Sequence, residues 1–133
     1  MDNSLFLRRI FKLDALTCFA CFALLTVGAT PLAPLFGLDA LFLRTAGLLL
    51  LPCAALFLWL GTRVAPPLAL SVVAILGNFL WVAESVAVMT TRQDTLTAIG
   101  TAFVGTQAAA VLVLALLESH GVKIMRRATA MAR

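Results

Sequence analysis

Four long apolar stretches without a single charge divide the chain: Ala15 to Leu38, Thr45 to Thr62, Val64 to Ala83 and Thr95 to Leu117. Each is close to the ~20 residues with which an α-helix, rising about 1.5 Å per residue, crosses ~30 Å of hydrocarbon. Transmembrane β-strands would instead alternate apolar and polar positions over about ten residues, and no such alternation is present. Breakers and caps fall between the stretches. Pro31 and Pro34 lack the N–H that would continue a helix and are expected to stop the first one. Asp39 suits the N-cap of the second, Pro66 and Pro67 the start of the third, and Asp94 or Thr95 the cap of the fourth. Gly121, after His120, reads as the final stop. The expected fold is an all-α integral membrane four-helix bundle, up-down-up-down, forming a single transmembrane domain over residues 1–133. The expected spans are 14–31, 39–61, 67–90 and 95–118, flanked by a basic interfacial arm (1–13) and a basic tail (119–133).

Composition narrows the class further. Hydrophobic residues make up 62% of the 133-residue chain and charged residues 12%, against about 25% charged in soluble domains. So short a chain could not hide that much apolar surface in one water-soluble core, so lipid is the expected surroundings. The placement of charge says more than its net value of +4. Arg8, Arg9, Lys12, Arg63, Lys123, Arg126, Arg127 and Arg133 fall on one side of the four-span layout, and only Arg44 and Arg92 on the other. The positive-inside rule then puts both termini in the cytoplasm and the protein in an inner membrane as a multi-pass chain. The basic ends are expected to touch anionic lipid headgroups. No basic surface interleaved with aromatic residues is visible, so nucleic acid is not an expected partner. The basic start, the apolar stretch after it and Val27-Gly28-Ala29 also resemble a secretory leader; the first span is the preferred reading.

Ionisable and amide groups inside the spans carry the candidate chemistry. Glu84 lies within the third span, where such a group is costly enough to count as a functional candidate. Arg44 enters the second span to a similar depth from the same side, so the two are expected to pair. Such a pair can fix helix register or handle an ion. Asn78 and Gln107 fall near mid-membrane and are expected to bond to one another. Asn78, Trp81 and Ser85 share a helix face bordered by Glu84. A ligand or ion path is therefore expected to involve Glu84, Arg44, Asn78, Trp81 and Gln107. On the fourth helix Thr101, Gly105 and Ala109 form a small-residue stripe for close helix packing, within the chain or in a homodimer. Pro52 is expected to kink the second helix and free the Leu48 carbonyl.

No enzyme chemistry, cofactor or metal site is expected. Cys18-Phe19-Ala20-Cys21 is a C-x-x-C. Four-helix membrane oxidoreductases that pass electrons to quinones use such a pair near the oxidising face, with a second pair to relay electrons. Here the pair lies near the basic end and Cys53 is the only other cysteine, so the thiols read as small hydrophobes. His120 alone cannot ligate a haem or a metal cluster and is expected beside the last carbonyls of its helix. No phosphate-binding glycine loop or Ser–His–Asp set is present.

The four-span layout, the basic start running into the first helix, and Asn78-Phe79-Leu80-Trp81-Val82-Ala83-Glu84-Ser85 resemble small bacterial inner-membrane proteins of four helices. That resemblance implies fold and location but no activity. Small multidrug exporters also have four short helices, but their first-helix glutamate has no counterpart here, so their mechanism is not implied. Three functions stay open: a non-catalytic accessory or scaffold component of a membrane complex, which leads; a dimeric small-solute or proton-coupled transporter using Glu84; and a membrane enzyme. The lipid bilayer is the one certain partner, with a homo-oligomer or another membrane protein as the others.

Overall fold

The structure, a computed structural model, describes residues 3–133. Five helices follow in order: α1 (Leu5–Val27), α2 (Ala29–Phe36), α3 (Ala40–Thr62), α4 (Leu68–Thr91) and α5 (Ala98–Met131). This corrects the expected four-helix bundle. The described residues form five helices and no strand, and α1, α3, α4 and α5 are long and apolar enough to cross a membrane.

The extra helix arises where Pro31 and Pro34 were expected to stop the chain. Gly28 ends α1, its N–H bonded to the Leu24 carbonyl, and α2 begins at the next residue. Pro31 is the third residue of α2, where no intrahelical donor is required. Pro34 forfeits only the bond to Thr30, a small loss in a helix of eight residues. The stop comes three residues later. Gly37 adopts φ +73°, a conformation that side chains with a Cβ resist, and the N–H groups of Gly37 and Leu38 both reach the Ala33 carbonyl.

The last helix also departs from expectation. α5 runs through Gly121 to Met131, 34 residues or about 51 Å. Gly121 continues the helix because it is a contact point, not a terminus: a side chain there would meet Leu7 of α1 at 3.1 Å. His120 accordingly lies inside the helix and packs edge-on against Phe6, with ring centroids 6.1 Å apart. At the start of α5 the cap is Thr97, whose hydroxyl oxygen accepts from the Gly100 N–H at 2.9 Å. α3 runs through Pro52 as one helix. The segment 5–13, expected as an interfacial arm, forms the first turns of α1 with Leu7 and Phe11 fully buried; Met1 and Asp2 lie outside the described residues.

The long helices assemble as two antiparallel hairpins. α1 packs most extensively on α3, and α4 on α5. A narrower seam between α1 and α5 joins the hairpins, while α3 and α4 touch little. Apolar contacts fill each interface, as van der Waals packing must where lipid removes the hydrophobic drive between helices. Phe11 stacks on Phe57 at the basic end, with ring centroids 6.0 Å apart. Phe36 of α2 stacks on Phe103 of α5 at the far end, 4.7 Å apart. There α2 is stitched to the start of α5: Thr97 donates its N–H to the Phe36 carbonyl and its hydroxyl to the Leu35 carbonyl. Gly100 permits that approach, since a Cβ on it would lie 2.1 Å from the Phe36 oxygen.

Candidate functional site

The seam between the hairpins holds a buried polar cluster. On α1, Leu7, Phe11, Asp14 and Cys18 recur at helical spacing and are all buried, so the face that packs against the other helices carries a carboxyl group. On α4, Ser71, Asn78 and Ser85 stand seven residues apart on one buried face. On α5, Glu118 lies on the buried face with Ala115 and Val122. Antiparallel pairing brings the three faces to one level.

Asn78 is the link. Its Nδ2 donates to Asp14 Oδ2 at 2.6 Å and to Glu118 Oε2 at 3.0 Å. Both carboxyl groups belong to residues with no exposed surface at all. The Cys18 thiol donates to the other Asp14 oxygen, Oδ1, at 3.4 Å, a weak bond as sulfur donors go. Glu118 Oε1 is buried without a protein donor. Both carboxyl groups are thus gathered on one amide nitrogen. A buried carboxylate is tolerable only with donors around it. Around these two, the described residues supply one amide nitrogen and one thiol as side-chain donors.

A second set of bonds lies farther along α4 and α5. Trp81 Nε1 donates to Gln107 Oε1 at 2.7 Å, and Gln107 Nε2 donates to Ser85 Oγ at 2.9 Å and to the Val104 carbonyl at 3.2 Å. Each polar group of Gln107 is thereby used within the hairpin. The expected Asn78–Gln107 bond is absent because each amide has nearer partners: carboxyl groups for Asn78, and the indole and a hydroxyl for Gln107.

The expected Arg44–Glu84 pair is also absent within the chain. Arg44 Nη2 donates to Thr30 Oγ1 of α2 at 2.8 Å. Glu84 is exposed and makes no hydrogen bond or ion pair among the described residues. The cause is helix phase. With Asn78 and Ser85 turned toward α1 and α5, Glu84 falls on the opposite side of α4 with Gly77, Leu80 and Ala87, all exposed. A Cβ on Gly77 would meet nothing within 4 Å. Of the small-residue stripe, Gly105 is half-buried beside Met89, whereas Thr101 and Ala109 are exposed; Val104 and Ala108 make the buried contacts instead.

The one ion pair seen among the described residues, Arg92 to Asp39 at 3.5 Å, lies at the exposed far end, where Arg92 also covers the Phe42 ring. Cys18, Cys21 and Cys53 are all free thiols. Among the described residues no group of three or more His, Cys, Asp or Glu side chains converges as metal ligands would.

The sequence does not single out Asp14 or Glu118, because each borders a charge-free stretch and passes for an interfacial charge. The available signal is phase: Asp14 follows Leu7 by seven and precedes Cys18 by four, on the face that carries Phe11. No family model, curated protein or solved structure matches the chain, so its own residues carry the functional reading.

Proposed function

We propose that this protein is a multi-pass component of a cell inner membrane that acts without catalysis, packing against other transmembrane helices as an accessory or scaffold subunit. The observation that carries this reading is Glu84. A carboxyl group in a candidate span, exposed on the protein surface and unpaired within the chain, is expensive in lipid and is relieved when another helix covers it. The surrounding face suits that purpose, since Gly77 and Ala87 let a second helix approach closely. Native mass spectrometry after gentle extraction tests the reading: a reproducible protein complex supports it, and a lone chain under all extraction conditions overturns it.

The Asp14–Asn78–Glu118 cluster favours a second reading, proton-linked transport of a small solute. Ionisable groups inside membrane proteins commonly mark proton relays, and Asp14 and Glu118 bond to the same Asn78 amide. Two open clefts, one along Leu16, Phe19, Leu51 and Leu58 and the other beside Met125 and Arg126, include none of the three residues, which ranks this reading second. Its test is proton flux into proteoliposomes with Glu118→Gln as the comparison; equal flux in the two proteins removes Glu118 from any proton path.

A further inference from the structure

We infer that the partner covering Glu84 is a second copy of this chain, with Arg44 of each copy paired to Glu84 of the other. This rests on the reading that the uncovered face of α4 is an assembly surface, and it names what covers that face.

Arg44 and Glu84 are opposite charges on neighbouring helices in the sequence. Each is exposed, and neither meets the other within the chain. Arg44 spends one of its five N–H groups on Thr30, leaving the outer edge of the guanidinium free to bind a carboxylate. Their depths agree. Arg44 is four residues inside the far end of α3 and Glu84 seven residues inside the far end of α4, about 6 and 10 Å respectively, a difference of less than one helical turn. Two groups at one level that do not meet in one molecule can do so across a two-fold axis normal to the membrane. Such an interface is self-complementary: the contact Arg44 to Glu84 generates its mirror, Glu84 to Arg44, and both pairs close at once.

The flanking surfaces are compatible with this packing. Leu41 and Leu48 on the Arg44 side of α3 are 75% and 58% exposed, and Leu80 on the Glu84 side of α4 is also exposed. Gly77 adds no bulk. Lipid could cover these apolar side chains as well as protein does, so charge decides. Hydrocarbon offers Glu84 nothing, whereas a second copy offers a guanidinium at the right height.

The test is charge reversal in full-length protein reconstituted in lipid nanodiscs, with the dimer fraction read by native mass spectrometry. Arg44→Glu and Glu84→Arg should each weaken dimerisation at least tenfold, and the double reversal should restore it, because like charges are replaced by opposite ones in both pairs. Helical content by circular dichroism confirms folding, and Glu84→Gln, which keeps the shape, serves if either reversal fails to fold; it should weaken the dimer without abolishing it. A wild-type dimer indifferent to all these changes overturns the inference. So does a complex with a different membrane protein that Glu84→Arg disrupts, although the assembly reading then survives. A wild-type chain that is monomeric and bound to no other protein overturns both.

Discussion

Asn78 and Asp14, 64 residues apart in the chain, are joined by a 2.6 Å hydrogen bond that ties α4 to α1 across the seam between the two hairpins. The same nitrogen holds Glu118 of α5 at 3.0 Å. One amide therefore fastens three helices, and its removal takes a donor from each of two buried carboxyl groups.

Replacing Asn78 by leucine should accordingly destabilise the fold by about 2 kcal/mol, the scale on which a buried polar group is left unsatisfied. Glu118→Gln in the same background should recover part of that loss, because it replaces one orphaned carboxyl with an amide that carries its own donor. Thermal unfolding in detergent, followed by circular dichroism, reads both. An additive double mutant would show that Asn78 and Glu118 do not act on each other.

The bond between Trp81 and Gln107 should be measurable as a pairwise coupling. A double-mutant cycle of Trp81→Phe and Gln107→Leu is expected to give about 0.6–2 kcal/mol, the range for hydrogen bonds between membrane helices. Gln107→Leu alone should also shift the tryptophan emission, because Trp81 is half-buried and loses its acceptor.

The junction of α2 with α5 makes a third prediction. Gly100→Ala forces a methyl group toward the Phe36 carbonyl, and Gly37→Ala adds a left-handed residue whose Cβ would lie 1.9 Å from the Thr95 oxygen. Each should destabilise by about 1–3 kcal/mol, as overpacking of tight sites does. Gly77→Ala, facing open space, should leave the monomer at least as stable, because alanine favours helix. Equal losses at all three positions would contradict this account of the junction.

These contrasts show what the sequence discloses. The charge-free stretches locate α3 and most of α4 but only parts of α1 and α5, since hydrophobic length is set by the bilayer while the ends of α1 and α5 carry charge. Capping by Asp39 is legible in the backbone, although its carboxylate turns to Arg92 and makes no cap bond. Three features depend on tertiary contact and are not legible. Pro31 and Pro34 are expected to stop the first helix, yet that helix ends earlier, at Val27, and both prolines lie within the short helix α2. Glycine was expected to end α5, yet at position 121 it admits Leu7. Pairing by depth matched Arg44 with Glu84 and Asn78 with Gln107, but depth does not fix rotation. Rotation of α4 turns Asn78 inward to Asp14 and Glu118, and Glu84 outward. Of the candidate residues, Trp81 and Gln107 are brought together, Asn78 joins carboxyl groups that the sequence hides, and Arg44 and Glu84 are exposed and apart.

The uncovered face of α4 is where the account is most exposed to contradiction. A photo-reactive amino acid placed at Leu80 should cross-link to protein in the native membrane, giving one reproducible adduct. The same probe at Leu16, 66% exposed on α1, serves as the comparison and should give mainly lipid adducts. Protein adducts from Leu80 that disappear with Glu84→Arg would confirm that this face, and this carboxyl group, hold a partner helix. Lipid adducts alone from both positions would contradict it.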